Sequence, residues 1–152
     1  MVAGGLQETA SGGVVFASSA VDIITMSDSG EIANVSRAAL SSNRTSVAAT
    51  RAGNFVIFSG GFTRDVSGTT AYDTVDYYNV RTGTWAVSAT PMWPARYGHV
   101  AVAVDDETVV FAAGGNPTDG AVTGCSMFRL NATTQVKYPD AVHCMVICGV
   151  EV

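Results

Sequence analysis

Phe55-Val56-Ile57-Phe58-Ser59-Gly60-Gly61 is a short apolar run closed by two glycines, and its reading decides the fold. The run has strand character. The diglycine after it lets a loop backbone pack closely against neighbouring chain, because neither residue carries a side chain. The same ending recurs at Gly4-Gly5 after Val2-Ala3, and at Gly114-Gly115 after Val109-Val110-Phe111-Ala112-Ala113. The intervals are 56 and 54 residues. Self-similarity at a fixed period is the signature of a repeat architecture.

Working outward from Gly60-Gly61, a polar loop leads to Thr74-Val75-Asp76-Tyr77-Tyr78-Asn79-Val80, then Arg81-Thr82-Gly83-Thr84, then Trp85. Two strand-like runs joined through a glycine in a short polar turn predict a β-hairpin. Pro91-Met92-Trp93-Pro94 predicts an irregular link, since two prolines so close together do not belong in a ladder. Arg96-Tyr97-Gly98-His99 opens Val100-Ala101-Val102-Ala103-Val104, and Asp105-Asp106-Glu107 turns the chain into the next diglycine run. One unit reads as four strands, all antiparallel by loop length. In the first unit Val21-Asp22-Ile23-Ile24 matches Val75-Asp76-Tyr77-Tyr78, Arg44 matches Arg96, and Ile32 falls near the place of Trp85. The third unit continues through Ser126-Met127-Phe128-Arg129-Leu130 and then loses the pattern. The strand runs are nearly continuous in apolar residues, which marks strands covered on both faces. Small sheets stacked radially around an axis satisfy that requirement. No window sustains an apolar stripe of helical period.

These residues resemble the kelch repeat. The second unit carries its pattern as Gly60-Gly61, Tyr78, Trp85 after six intervening residues, and Arg96 separated from His99 by two residues. The first keeps the diglycine, Asp22 and Arg44; the third keeps Gly114-Gly115 and an aromatic at Phe128. The resemblance implies an all-β chain of kelch-type β-propeller blades, each of four antiparallel strands, in an incomplete ring. It extends over residues 1–152 with unit boundaries near 5, 61 and 115. It also implies that Tyr78, Trp85 and His99 pack blades together. Propellers close with roughly four to eight blades, so a chain of fewer than three units is expected to be a piece of a longer protein. Closure by self-association of two or three chains is the alternative.

Charge narrows the partners. The net charge is −5, with one lysine and seven scattered arginines, and no phosphate-tracking stripe is visible. Nucleic acid is not expected as a partner. Nor does any stretch approach the roughly 20 apolar residues of a spanning helix. Three cysteines, at 125, 144 and 148, are too few and odd in number for a complete disulfide framework. Asn34, Asn43 and Asn131 open glycosylation sequons. No compartment follows from them.

Catalytic constellations are incomplete. His99 and His143 are the only histidines, and His143 beside Cys144 and Cys148 reads as packing rather than a metal site. No serine lies in Gly-x-Ser-x-Gly. Asp105 and Asp106 read as a solvated turn. No cofactor is expected, and the reading leans against an enzyme. The expected function is a protein- or peptide-binding scaffold that recognises its partner with loops on one face. The segment from Phe62 to Tyr72 and the segment from Asn116 to Gly124 follow successive diglycines, so they emerge on the same face together with the Pro91–Pro94 link. Candidate binding residues are Arg64, Tyr72, Trp93, Arg96, Asn116 and Asp119, with arginine and aromatics the types that dominate interface energy. The alternative is a fragment of a kelch-propeller enzyme such as a copper-radical carbohydrate or alcohol oxidase, or a truncated repeat with no function of its own.

Overall fold

The computed structural model describes residues 1–8, 15–65, 67–130 and 136–138. Within them every regular element is a strand, and every pairing is antiparallel. Blade I begins with β1 (Val2–Ala3). A hairpin of β2 (Leu6–Glu8) and β3 (Val15–Ala17) follows, and then β4 (Ala20–Met26) and β5 (Ile32–Ala39) complete the order β1-β4-β5. Blade II contains β6 (Ala48–Ala52) and β7 (Phe55–Ser59), a second hairpin of β8 (Phe62–Asp65) and β9 (Gly68–Ala71), and then β10 (Val75–Asn79) and β11 (Thr84–Val87). Its order is β11-β10-β7-β6. Blade III repeats this with β12 (Val100–Ala103), β13 (Thr108–Ala112), the short hairpin β14 (Gly115–Asn116) and β15 (Gly120–Ala121), β16 (Cys125–Arg129) and β17 (Val136–Tyr138). Its order is β12-β13-β16-β17.

The cut between blades falls at the Pro91–Pro94 link and not at the diglycine. Val100 pairs with Ala112 and Ala103 with Val109, so β12 joins the diglycine strand that follows it. The periodic unit read from the sequence and the hydrogen-bonded sheet are therefore offset by one hairpin. Register also corrects one match in blade I. Trp85 lies opposite Tyr78, whereas Ile32 lies opposite Met26 and Val35 lies opposite Ile24. Since Ile24 matches Tyr78, Val35 rather than Ile32 holds the place of Trp85.

Alternation along each strand sends neighbouring residues to opposite faces, so one blade packs against two others. Val75 and Ile57 of blade II join Val109, Phe111 and Phe128 of blade III in one core, with Met92 of the link fully buried among them. Phe58 of blade II faces the other way and meets Val21 and Leu40 in a second core. Trp85 stacks on Phe58 at 5.7 Å between ring centroids and tilts against Tyr78 at 5.1 Å. Gly60 shows why the diglycine is required. Its φ is +57°, and a Cβ there would lie 2.3 Å from the Arg96 carbonyl oxygen and 2.6 Å from the His99 ring. No side chain fits between strand end and link at that spacing.

No helix among the described residues is long and apolar enough to cross a membrane. His143, Cys144, Cys148 and the Asn131 sequon lie outside the described residues. Cys125 is buried and disulfide-bonded.

Candidate functional site

Each diglycine is followed by a hairpin that leaves its blade, and the three hairpins stand side by side. A two-residue bridge ties each of the later two to the link running past it. Thr45 pairs with Phe62 through reciprocal backbone hydrogen bonds of 2.9 Å, and Tyr97 pairs in the same way with Gly115 at 3.0 and 2.9 Å. The Phe62 ring then rests on the Tyr97 ring at 4.8 Å, which joins the second hairpin to the seam beyond it. These attachments hold the hairpins in a fixed row.

Two clefts lie between the hairpins. The first, of about 380 Å³, is lined by Ala17, Asn43, Thr63, Arg64, Asp65 and Tyr72. Arg64 is exposed, and the Tyr72 hydroxyl is 3.4 Å from the Thr63 hydroxyl. The second, of about 330 Å³, runs from Thr69, Thr70 and Ala71 across to Ala95, Asn116, Pro117 and Thr118. Both are small surface clefts; charged and aromatic groups (Arg64, Asp65 and Tyr72) line the first, whereas threonines, Asn116 and small apolar residues line the second. They suit an extended polar segment better than an enclosed apolar ligand.

Of the residues singled out in the sequence, the structure brings Arg64 and Tyr72 together in the first cleft and puts Asn116 in the second. Asn116 is partly spent on the fold. Its amide donates to the Ala95 carbonyl at 2.6 Å, and its side-chain oxygen accepts from the Thr118 N–H at 2.8 Å. Asp119 is exposed in the turn between β14 and β15. Trp93 is 56% exposed on the link but lines neither cleft. Thr63, Asp65 and Thr118 belong to the two loop segments expected from the sequence, though not singled out within them, whereas Asn43 lies outside both. Asn43 precedes the motif arginine of its link, and that offset was the signal available.

Arg96 stands apart from the loop face. It is fully buried, and its guanidinium donates to the carbonyls of Pro94, Trp93, Ala113 and Gly124 at 2.9–3.3 Å. Burial pulls its pKa down to about 10. Arg44 occupies the same place one seam earlier. It is also fully buried, donates to the Thr74 carbonyl at 3.2 Å, and forms a buried ion pair with Asp76. Burial lowers its pKa, while the Asp76 charge pulls the other way. Thr74 and Gly124 each precede the third strand of their sheets, so the two arginines make equivalent bonds. Ser126 stands where Asp76 stands, and its hydroxyl has no partner among the described residues. These arginines clamp one blade to the next.

His99 is built into the same seam. Its Nε2 is 2.8 Å from the Ser59 hydroxyl, and its ring meets Phe111 edge-on at 5.8 Å. Burial, with a smaller contribution from the Arg96 charge, lowers its pKa to about 4. The imidazole is therefore neutral near pH 7. Ser59 is fully buried and His99 nearly so, which makes the pair a packing contact. At the Asp105-Asp106 turn, the Asp105 carboxylate accepts the Glu107 N–H at 2.8 Å, and this bond holds its pKa below the ordinary value. Among the described residues no three His, Cys, Asp or Glu side chains form a group that could hold a metal ion.

No family model matches the chain, and no curated protein matches it. Solved structures do match, 90 chains of them, so the likeness does not rest on a single neighbour. One is the structure of YjhT, which aligns with a TM-score of 0.59 at 12% identity. The alignment covers 83% of this chain and 48% of that one, so the chain spans about half the length of the structure it matches. Likeness at this identity shows the fold alone. Together with the antiparallel sheets and their packing, it makes the chain a stack of β-propeller blades in an incomplete ring.

Proposed function

We propose that this chain is part of a kelch-type scaffold that binds a protein or peptide along its row of hairpins. The observation that carries the reading is the row itself. Three hairpins leave the blades at equivalent positions, two are anchored to the links by matching backbone bridges, and polar clefts lie between them. The blade packing accounts for the diglycines, Trp85, His99 and Arg96, but it does not require Arg64. Its long side chain is exposed beside Tyr72 and Asp65, a composition suited to an interface. An extended segment laid across the hairpins would meet a guanidinium and a phenol in the first cleft. In the second it would meet the threonines of β9 and the backbone around Pro117.

The reading is tested by selecting peptides from a displayed library against the whole chain. Binders are then measured against the triple variant Arg64→Ala/Tyr72→Ala/Trp93→Ala. Loss of affinity by about 10-fold or more is expected, since each anchor of these types contributes roughly 1–2 kcal/mol at an interface. A double variant at the far turn, Asp105→Asn/Asp106→Asn, is expected to bind as the parent does. Equal binding by the triple variant and the parent would contradict the reading.

A further inference from the structure

The seams inside the chain show what one blade requires from the blade before it. Between blades I and II the link supplies Arg44 to Asp76 and lays the Thr45 carbonyl over Gly61, where a Cβ would lie only 2.6 Å from that oxygen. The apolar side chains Val56, Phe58 and Trp85 complete the contact. Between blades II and III the link supplies Arg96 and lays the Tyr97 carbonyl over Gly114, again at 2.7 Å from a notional Cβ. Both seams follow one plan.

Blade I carries every receiving part of that plan on its other side. Asp22 matches Asp76 by register, yet its carboxylate is half exposed and its ion-pair partner is the exposed Arg37, at 3.4 Å. Gly5 matches Gly61 and has φ +115°, but among the described residues nothing lies within 4 Å of where its Cβ would be. Ile24 and Val35 hold the register positions of Tyr78 and Trp85. With Met26 and Ile32 they form an exposed apolar face, Ile32 at 62% and Val35 at 53%. A carboxylate, an unfilled glycine notch and an apolar stripe thus recur together in the arrangement that the next seam fills.

We infer that this face of blade I is an interface for a further propeller blade whose link presents an arginine to Asp22 and a backbone carbonyl to Gly5. The occupant is defined by that arginine. The apolar face alone would accept many partners, but the carboxylate selects a cationic link.

A tandem protein tests this, with a copy of residues 48–110 placed directly ahead of Val2 of the chain, since Val2 holds the register position of Phe111. The copied segment brings blade II, its link and the start of the next diglycine strand. A double-mutant cycle then pairs Arg96→Met in the copied segment with Asp22→Asn. The expected result is a folded monomer in which the two changes are coupled fivefold or more in the unfolding equilibrium constant. In the unmodified chain, Asp22→Asn is expected to change that constant less than threefold, because the Arg37 pair is solvent-exposed. Coupling below fivefold, or an aggregated tandem, would overturn the inference. So would a discrete dimer of the unmodified chain that Val35→Asp dissociates, since that would give the face to a second copy.

Discussion

Replacing Asp76 with serine converts the first seam to the composition of the second, where Ser126 holds the same position. The carboxylate accepts three hydrogen bonds: one from Arg44, one from the Ser41 N–H at 3.1 Å and one from the Ser41 hydroxyl at 3.1 Å. A serine cannot neutralise the guanidinium, and Arg44 is fully buried. Removing one member of a buried ion pair costs about 3–5 kcal/mol, because the remaining charge stays desolvated. Asp76→Ser should therefore lower unfolding stability by about 4 kcal/mol on that scale, a large fraction of the ~5–15 kcal/mol typical of a domain. Arg44→Met in the same chain removes the orphaned charge and keeps most of the volume. It leaves the Thr74 carbonyl one donor short, a cost of about 1 kcal/mol. The double variant should thus be more stable than Asp76→Ser alone by about 2 kcal/mol or more. Urea unfolding followed by tryptophan fluorescence measures this, since Trp85 packs on Phe58 in the same seam. Asp76→Ser costing less than about 1 kcal/mol, or strictly additive changes, would refute the clamp.

Two further predictions concern the seam. Gly60→Ala forces a side chain to adopt φ +57° and to overlap the Arg96 carbonyl; left-handed geometry alone costs roughly 1–2 kcal/mol, and with the overlap the thermal midpoint should drop by well over 10 °C. His99 has a folded pKa near 4 against about 6.5 for an unperturbed imidazole. The unfolded state therefore binds the proton more readily, and stability is complete above about pH 6.5 and falls as the pH drops towards 4. The loss should reach about 3 kcal/mol, and in His99→Gln this component of the pH profile should be absent.

How much of this was legible beforehand depends on whether the deciding contact was local. Gly60-Gly61, the Tyr78–Trp85 pair and the Asn79–Thr84 turn are local, and the sequence spacing located all of them. The boundary between blades was not legible. The turn at Asp105-Asp106-Glu107 announced the pairing of Val100–Ala103 with Thr108–Ala112, but nothing in either strand says that β11 and β12, consecutive in the chain, lie in different sheets. The second hairpin was also hidden. Thr63-Arg64-Asp65 and Thr69-Thr70 carry no apolar face, so the segment resembled a polar loop until the backbone pairing of Phe62 with Ala71 defined it. Arg44, Arg96 and Asp76 were recognised as repeated positions. That a link arginine reaches a carboxylate 32 residues further on is a property of the seam, and only packing reveals it. Arg64 and Tyr72 met in one cleft because they flank one hairpin, whereas Trp93 sits on a link whose path is set by buried Met92.

The most direct test of the proposed binding face is hydrogen exchange of the chain with and without a selected peptide. Added protection is expected in residues 62–72 and 115–121, with residues 104–108 at the far turn unchanged. Protection centred on residues 104–108, or spread evenly over the blades, would contradict a binding face built from the hairpins.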